Sequence, residues 1–272
     1  MSLILRVGRN FSGRDFVIGD VHGHLHQLQA QLDAVAFDLS RDRLFCLGDV
    51  IDRGPASESL LALIDQKTYF SILGNHEAMM ITGVENPETI PRHRANGGDW
   101  FYMLPEHQRL RLVHQVRKWP WAIELDAGGR DIGLIHANVL EDSWPRTLCA
   151  LATMEEKWSK GAPLEAGVPA DMARQLLWDR SLARQLYRRV LGLGDEKRTP
   201  SEYKRLFLEG MDSIPQADPS ALAPFRIDGL DTLYLGHNYV PRPIAVGNCH
   251  FLDTYRGEED ERLALICVNQ PS

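Results

Sequence analysis

Six side chains that can bind a metal ion follow short apolar runs in this sequence. They are Asp20, His22, Asp49, Asn75, His136 and His237. Two carboxylates, one amide oxygen and three imidazoles form a mixed set of oxygen and nitrogen donors, which suits borderline divalent ions such as manganese, iron or zinc. Six ligands are too many for one open catalytic ion, but they fit two ions that share a bridging carboxylate. Asp49 follows the middle run and is the natural bridge.

The first 85 residues contain the elements that must position four of these side chains. Apolar runs at 16–18, 43–47 and 69–73 predict three strands, and each run ends in a glycine followed by Asp or Asn. Apolar residues recur at helical spacing in 25–35 and 57–64, which predicts an amphipathic helix after each of the first two strands, and 78–81 predicts the start of a third helix. This order predicts a largely parallel sheet covered by helices, with polar side chains gathered at the carboxyl ends of the strands.

Repetition distinguishes this pattern from ordinary turns. A single Gly–Asp pair after a strand is usually a turn, and a single histidine near a strand end is usually a hydrogen-bonded core or surface residue. The same pattern after three successive strands has no structural explanation as simple as a shared metal site. We therefore interpret the strand ends as a metal centre.

The rest of the chain is less regular. Residues 121–125 and 132–135 predict two strands, and the second of them ends at His136. The segment 86–120 is typical of a loop plus a helix, and helical periodicity recurs near 172–190. Strands are predicted again at 233–235, 248–252 and 263–268.

Length and composition fit one domain over residues 1–272, with a helical cap or insertion at about 181–230. The residues are 44% hydrophobic and 25% charged, which excludes wholesale disorder, collagen and a coiled coil. Lys plus Arg is 30 and Asp plus Glu is 37, so the net charge of −7 provides no basic field for nucleic acid. No apolar stretch reaches the roughly 18 residues of a membrane span, and the apolar run at the start is too short for a signal peptide. These features favour a cytoplasmic protein.

Two other classes of phosphoryl-transfer enzyme are excluded by motif. Cysteine phosphatases need an arginine six positions after the nucleophilic cysteine, and none of the four cysteines has one. P-loop kinases need a Gly-x-x-x-x-Gly-Lys-Ser/Thr motif, which is absent from the sequence.

Three segments of the chain resemble the signatures of the PPP-type metallophosphoesterases. They are 19–23 (Gly-Asp-Val-His-Gly), 48–54 (Gly-Asp-Val-Ile-Asp-Arg-Gly) and 74–77 (Gly-Asn-His-Glu), in the expected order and spacing. The later segments 134–137 and 235–238 are similar to those that carry the remaining histidine ligands. Within the family, the chain resembles the compact bacterial and phage lambda-type Ser/Thr protein phosphatases. The resemblance implies a calcineurin-like metallophosphoesterase fold of the α/β (α+β four-layer) class, in which helices flank a central β-sandwich.

The resemblance also implies roles for individual residues. One divalent ion is held by Asp20, His22 and Asp49, and a second by Asp49, Asn75, His136 and His237. Mn²⁺ is the expected metal, with iron and zinc as alternatives, and a hydroxide shared by the two ions attacks phosphorus directly. His76 protonates the leaving alkoxide, Asp52 orients His76, and Arg53 binds phosphate oxygens.

A second phosphate-binding arginine is expected between the last two histidine ligands. The segment Trp178-Asp179-Arg180 resembles the matching part of the family, so Arg180 is assigned this role. Arg174 and Arg184 are the rival candidates.

His93 has no supporting spacing and is assigned no role. The segment 96–100 (Asn-Gly-Gly-Asp-Trp) resembles a lambda-type segment that either shapes the substrate groove or forms a loop turn.

The predicted function is a metal-dependent phosphomonoesterase that acts on phosphoserine or phosphothreonine in proteins. The alternative is a hydrolase of diadenosine tetraphosphate or another small phosphate ester, and a non-catalytic binding scaffold is a minor alternative. The intact Asp52-Arg53 pair and Glu77 favour the protein phosphatase, because the symmetrical tetraphosphate hydrolases typically vary there. Departures from the family pattern at Asn238, in 253–257 and in the longer 181–230 segment concern the substrate rather than the metal chemistry. We expect a phosphorylated protein or small ester as partner, and neither nucleic acid nor a membrane.

Overall fold

The computed structural model describes residues 2–190, 222–255 and 262–269. The strands in these ranges are β1 (Ile4–Val7), β2 (Asp15–Ile18), β3 (Arg43–Cys46), β4 (Tyr69–Ser71), β5 (Ala122–Asp126), β6 (Asp131–Ile135), β7 (Thr232–Leu235), β8 (Ile244–Val246), β9 (Cys249–Phe251) and β10 (Leu265–Asn269). The α-helices are α1 (Leu25–Ala34), α2 (Ser57–Leu63), α3 (Asn75–Glu85), α4 (Ile90–Ala95), α5 (Asp99–Tyr102), α6 (Glu106–Val116), α7 (Trp144–Ser159), α8 (Gly167–Leu176) and α9 (Ser181–Gln185). None of the helices in the described ranges is both long and apolar enough to cross a membrane.

Two sheets form the centre of the described chain. The larger has the strand order β1-β5-β6-β7-β9-β8, and the smaller has the order β10-β2-β3-β4. In the smaller sheet β2, β3 and β4 are parallel, and β10 is antiparallel to β2. This confirms the parallel sheet predicted from the first 85 residues. In the larger sheet β6 and β7 are also parallel neighbours, so the residues that follow them emerge at the same edge.

The two sheets face each other across an apolar core. Val17 of β2 and Phe45 of β3 lie in one buried cluster with Leu134 of the larger sheet. Phe16 and Ile18, on either side of Val17, belong to the other cluster, which contains the buried side chains of the helices. Because side chains alternate across a strand, β2 is apolar on both faces, as expected for a strand covered on both sides. The predicted α/β fold with a β-sandwich flanked by helices is therefore confirmed.

The third helix begins earlier than the sequence predicts. The expected start was near Ala78, but α3 begins at Asn75. The Glu77 carboxylate accepts a hydrogen bond from the backbone N–H of Gly74 at 3.0 Å, which caps the helix. Because the first turn of α3 is polar, the spacing of apolar residues does not show where the helix begins. As a result, Asn75 and His76 belong to the first helical turn.

Strands β1 and β8 and helix α7 are not predicted by the sequence reading. The start of α7 is set by Ser143, whose side chain accepts a hydrogen bond from the backbone N–H of Arg146, and by Pro145 in the first turn. Leu151 and Trp158 lie buried on one face of the helix. These signals are local, and the Pro- and Gly-containing sequence that follows obscures them.

The helical cap predicted at about 181–230 is described only near its ends. Helix α9 continues into a π-helical segment, Leu186–Val190, and a 3-10 turn occupies Ala223–Phe225. Residues 191–221 lie outside the described residues.

Candidate metal centre

The candidate ligands lie in five segments at the carboxyl ends of strands from both sheets. These are Asp20 and His22 after β2, Asp49 after β3, Asn75 at the start of α3, His136 after β6 and His237 after β7. Each of the six side chains belongs to a residue that is at most 4% exposed. The structure therefore brings together, in a buried site, the six residues that the sequence singled out.

The Asp49 carboxylate is shared by two clusters of potential ligand atoms. It lies with His22 and His76 in one cluster and with His136 and His237 in the other, and the atoms of each cluster lie within 4.8 Å of one another. Asp49 Oδ2 is 3.9 Å from Nε2 of His22, and Asp49 Oδ1 is 3.5 Å from Nε2 of His136. One oxygen therefore faces each cluster, as required of a carboxylate that bridges two ions about 3.5 to 4 Å apart.

Backbone carbonyls fix the orientation of three imidazole rings. Nδ1 of His22 and Nδ1 of His136 lie 3.1 and 2.7 Å from carbonyl oxygens. The ring of His237 makes a hydrogen bond to the backbone of Trp178. Because a carbonyl only accepts, the ring nitrogen that faces it carries the hydrogen. In the neutral ring Nε2 then keeps its lone pair, which is the usual arrangement of metal-binding histidines.

Two features of the second cluster fit a bound cation. Nε2 of His136 lies 2.9 Å from Oδ1 of Asn75, so two acceptor atoms face each other. Nε2 of His237 is buried and has no hydrogen-bond partner in the part of the chain that the structure describes. Buried polar atoms in native proteins normally have a partner. A divalent ion would satisfy all three atoms, so the residues present fit a metal centre.

Asp20, which lies next to the first cluster, and His76, a member of it, are alternative partners for an ion held by His22 and Asp49. Asp20 Oδ2 is 3.7 Å from Nε2 of His22, and Asp20 Oδ1 accepts a hydrogen bond from the backbone N–H of His237 at 2.9 Å. Nε2 of His76, by contrast, lies 3.3 Å from a guanidinium nitrogen of Arg53. That fixed positive charge makes His76 a poorer metal ligand than Asp20.

Electrostatics favour neutral rings for His22 and His237 and an ionised carboxylate for Asp49. Burial, reinforced by His76, lowers the pKa of His22 well below its ordinary value. Burial, reinforced by His136, does the same to the pKa of His237. Burial alone would raise the pKa of Asp49, but the surrounding histidines, His136 first, outweigh it and lower that pKa. These are the protonation states that cation binding requires.

Five residues of the site adopt left-handed backbone conformations. Their φ angles are 45° for His22, 47° for Asp49, 71° for Asp52, 66° for Arg53 and 61° for His237. Such conformations are unfavourable for residues other than glycine and concentrate at functional sites. Here they occur in the loops after β2, β3 and β7, where the chain must turn sharply to bring both sheets' ligands to one point.

A second group of polar side chains adjoins the metal centre. Nδ1 of His76 lies 2.7 Å from Oδ2 of the fully buried Asp52. The same oxygen lies 3.0 Å from Nε2 of His93, and Oδ1 accepts a hydrogen bond from Nε1 of Trp100 at 2.8 Å. Burial alone would raise the pKa of Asp52, but the hydrogen bonds from His76 and His93 outweigh it and lower that pKa. Asp52 is therefore an ionised acceptor for three side-chain donors.

The arginine assigned from the Trp178-Asp179-Arg180 segment lies beside the second cluster. The charge of Arg180 contributes, after burial and His136, to the lowered pKa of His237. Arg180 and both rivals are exposed; Arg174 pairs with Asp171 within α8 and lines the neighbouring cleft, and Arg184 lies on α9. This electrostatic effect on a candidate ligand favours Arg180 over both.

A cleft of about 630 Å³ borders the site. Its lining includes Met79 of α3, Arg92 of α4 and Ala173 of α8. Trp178 forms one wall, with the guanidinium of Arg92 4.1 Å from its ring centre. The same indole meets the imidazole of His237 edge to face, with 6.2 Å between the ring centres. The cleft therefore adjoins the second cluster.

Glu77 holds the loop that carries Asp49. Its buried carboxylate accepts backbone hydrogen bonds from Asp49 at 2.8 Å, from Val50 at 2.9 Å and from Gly74 at 3.0 Å. A side chain on Gly74 would collide with the Asp49 carboxylate, so the glycine permits this close packing of the two loops.

We expect Glu77→Gln to lower the free energy of unfolding by about 2 to 3 kcal/mol, because an amide turns an N–H group toward backbone donors that a carboxylate accepts. Urea denaturation monitored by circular dichroism measures the change. Glu58→Gln, on the exposed side of α2, is the matched control and is expected to change stability by less than about 0.5 kcal/mol. Equal midpoints for the two variants would contradict the anchoring role of Glu77.

A profile of the calcineurin-like phosphoesterase family matches residues 16–171. This is more than half of the chain, and it contains the loops after β2, β3, β4 and β6. The chain belongs to this family. The resemblance to the metallophosphoesterases that the sequence predicted is therefore confirmed. His237 and Arg180 lie outside the matched segment.

Curated relatives of this calcineurin-like phosphoesterase fall into two named groups. It is 34% identical to serine/threonine-protein phosphatase 2 of Escherichia coli over 126 residues. That alignment covers 45% of this chain and 57% of the relative. It is 36% identical to serine/threonine-protein phosphatase 1 of Salmonella typhimurium over 126 residues. That alignment covers 45% of this chain and 58% of the relative. It is 29% identical to a symmetrical bis(5'-nucleosyl)-tetraphosphatase of Paracidovorax citrulli over 164 residues. That alignment covers 60% of this chain and 54% of the relative. The chain thus spans little more than half the length of these three relatives.

A solved structure supports the fold of the phosphoesterase over nearly its whole length. A protein serine/threonine phosphatase from Saccharomyces cerevisiae, described as similar to human phosphatase PP5, superposes with a TM-score of 0.53. The match covers 97% of this chain and 84% of the yeast chain at 11% identity. At this identity the likeness concerns the fold alone.

Two residues of the phosphoesterase site were missed by the sequence reading. His93 was assigned no role, yet it is fully buried against Asp52. Trp100 lay in a segment left open between a groove and a turn, yet it donates a hydrogen bond to the same carboxylate. For Trp100 the paired glycines Gly97 and Gly98 were a usable signal. For His93 no sequence signal existed, because its contact is with a residue 41 positions away.

Proposed function

We propose that this phosphoesterase is a dinuclear phosphomonoesterase that acts on phosphoserine and phosphothreonine in proteins. The observation that carries the proposal is the Asp49 carboxylate, with one oxygen toward each ligand cluster, beside the His76–Asp52 pair. The relatives named serine/threonine-protein phosphatase support the substrate class.

Two ions would be held by the six candidate ligands, with Asp49 shared between them. One would be held by Asp20, His22 and Asp49, and the other by Asp49, Asn75, His136 and His237. When bound, two divalent cations lower the pKa of a shared water molecule and neutralise charge on the phosphate oxygens. Mn²⁺ is the proposed metal, with iron or zinc as alternatives, because the donors mix oxygen and nitrogen.

His76 is the proposed proton donor to the leaving alkoxide. Its Nδ1–H donates to the Asp52 carboxylate, which orients the ring and turns Nε2 toward the site. Nε2 lies only 3.3 Å from the guanidinium of Arg53, so one phosphoryl group can contact both side chains. The planar fork of Arg53 suits two phosphate oxygens.

The proposed compartment is the cytoplasm. The four cysteines are unpaired thiols, which fits a reducing environment. The negative charge of the chain supports a protein or small-ester substrate rather than nucleic acid.

A matched substrate panel tests the proposed substrate class. Initial rates with Mn²⁺ are compared for a phosphoserine peptide, a phosphothreonine peptide, diadenosine tetraphosphate and 4-nitrophenyl phosphate. We expect the highest kcat/KM among the first three for a phosphopeptide. The tetraphosphate is the second candidate, because some relatives are named for that activity. A kcat/KM for it that exceeds both peptides would replace the phosphatase assignment.

Arg180→Ala is expected to reduce kcat/KM for 4-nitrophenyl phosphate by about 10²-fold, because it removes one cationic donor to the developing charge on phosphate. Steady-state kinetics at saturating Mn²⁺ measures the loss. Arg174→Ala is the matched control and is expected to stay within about 2-fold, because its guanidinium is engaged within α8. If the two variants exchange these results, the second phosphate-binding arginine is Arg174.

A further inference from the structure

The segment from α4 to α5 closes over the carboxylate of Asp52. His93, on α4, is fully buried, and its Nε2 lies 3.0 Å from Asp52 Oδ2. Its Nδ1 lies 2.9 Å from the hydroxyl of Tyr102, at the end of α5. Trp100, between them, donates to Asp52 Oδ1 at 2.8 Å. The segment that the sequence left unassigned is therefore built around Asp52.

These contacts determine where the protons lie. An ionised carboxylate only accepts, so the nitrogens of His76 and His93 that face Asp52 both carry hydrogen. In the tautomer with its hydrogen on Nε2, Nδ1 of His93 accepts the hydroxyl hydrogen of Tyr102. Burial and the charge of Asp52 raise the pKa of Tyr102 to about 12, which keeps that hydroxyl protonated. The chain Tyr102–His93–Asp52–His76 is thus continuous and fully paired.

The packing leaves the His93 ring little freedom to move. The ring lies 5.4 Å from the ring of Tyr102 and 5.9 Å from that of Phe101. A side chain on Gly98 would collide with the imidazole, so the backbone itself covers the ring. A histidine locked in this way fixes the position of the oxygen it binds.

We propose that His93 is a positioning residue for proton donation by His76: with Trp100, it locks the Asp52 carboxylate so that Oδ2 stays aligned with Nδ1 of His76. The inference rests on the proposed role of His76. Asp52 Oδ2 accepts hydrogen bonds from His76 and from His93 of α4, while Trp100 of α5 donates to Oδ1. Loss of the His93 N–H frees the carboxylate to rotate away from His76 without changing any candidate metal ligand.

The test is the dependence of the rate on the leaving group. Protonation matters greatly for the alkoxide of phosphoserine and little for 4-nitrophenolate, which leaves readily without a proton. We expect His93→Phe to lower kcat for a phosphoserine peptide by about 10- to 100-fold and kcat for 4-nitrophenyl phosphate by less than about 3-fold. His93→Gln, which restores an N–H donor near the position of Nε2, is expected to recover most of the loss.

Two further variants complete the experiment. Tyr102→Phe removes the hydroxyl that holds the proton of His93 on Nε2, and it is expected to give a smaller loss confined to the peptide substrate. This variant carries the test if His93→Phe does not fold. His107→Phe, at an exposed position of α6, is the control and should leave both rates unchanged. Bound manganese and the melting temperature are measured for every variant.

The possible results separate this inference from the proposed function. Equal losses on both substrates, no loss on either, or no recovery with His93→Gln would overturn the positioning role. If His76→Asn itself shows no dependence on the leaving group, the proposed proton donor is wrong, and the inference about His93 is overturned with it. A selective loss in both His76→Asn and His93→Phe supports both.

Discussion

Asp49→Asn is expected to lose bound metal and to hydrolyse phosphate esters at least about two orders of magnitude more slowly than the native enzyme. The Asp49 carboxylate is the group that faces both ligand clusters, with Oδ1 toward His136 and Oδ2 toward His22. An asparagine keeps one oxygen but turns an N–H group toward the other cluster and removes the negative charge. The substitution therefore affects both proposed ions at once.

Two measurements check this expectation. Metal content after gel filtration is determined by mass spectrometry, and kcat for 4-nitrophenyl phosphate is followed over a range of Mn²⁺ concentrations. Asp33→Asn, on the exposed side of α1, is the matched control and should retain native metal content and rate. An Asp49→Asn enzyme with native turnover and two bound ions would show that the carboxylate does not bridge.

His76→Asn is expected to retain its metal and to lose about 10²- to 10⁴-fold in kcat for a phosphoserine peptide. The imidazole makes its hydrogen bond to Asp52 rather than to a candidate metal ligand, and its Nε2 lies beside Arg53. The loss should be smaller for 4-nitrophenyl phosphate, because 4-nitrophenolate needs little protonation as it leaves.

The matched control for this variant is His114→Asn, at an exposed position in the last turn of α6. It should have native rates on both substrates. A His76→Asn enzyme that binds less metal and loses the same factor on both substrates would identify His76 as a metal ligand instead of a proton donor.

The clustering of the candidate ligands could be predicted from the sequence, because a residue that directly follows a strand lies at that strand's carboxyl end. Asp20, Asp49 and Asn75 each follow a glycine after an apolar run, and parallel strands bring their carboxyl ends to one edge. For His136 and His237 the same rule worked in a second sheet, where β6 and β7 are parallel neighbours. A local pattern was sufficient wherever the functional residue was adjacent to its element.

The sequence failed where a contact depended on tertiary packing. His93 meets Asp52 only because the helices after α3 fold back over the loop after β3. The early start of α3 was missed because Glu77 is used as a cap and an anchor rather than as an exposed charge. Such contacts are three-dimensional, and neither periodicity nor spacing encodes them.

The most direct test of the account is an X-ray structure of the manganese-loaded enzyme, with anomalous data collected at the manganese edge. A dinuclear centre bridged by Asp49 predicts two anomalous peaks about 3.5 to 4 Å apart, with one oxygen of Asp49 bound to each ion. It also predicts His237 on only one of the two ions and no bond from His76 to either. A single peak, or two peaks that Asp49 does not connect, would contradict a dinuclear centre.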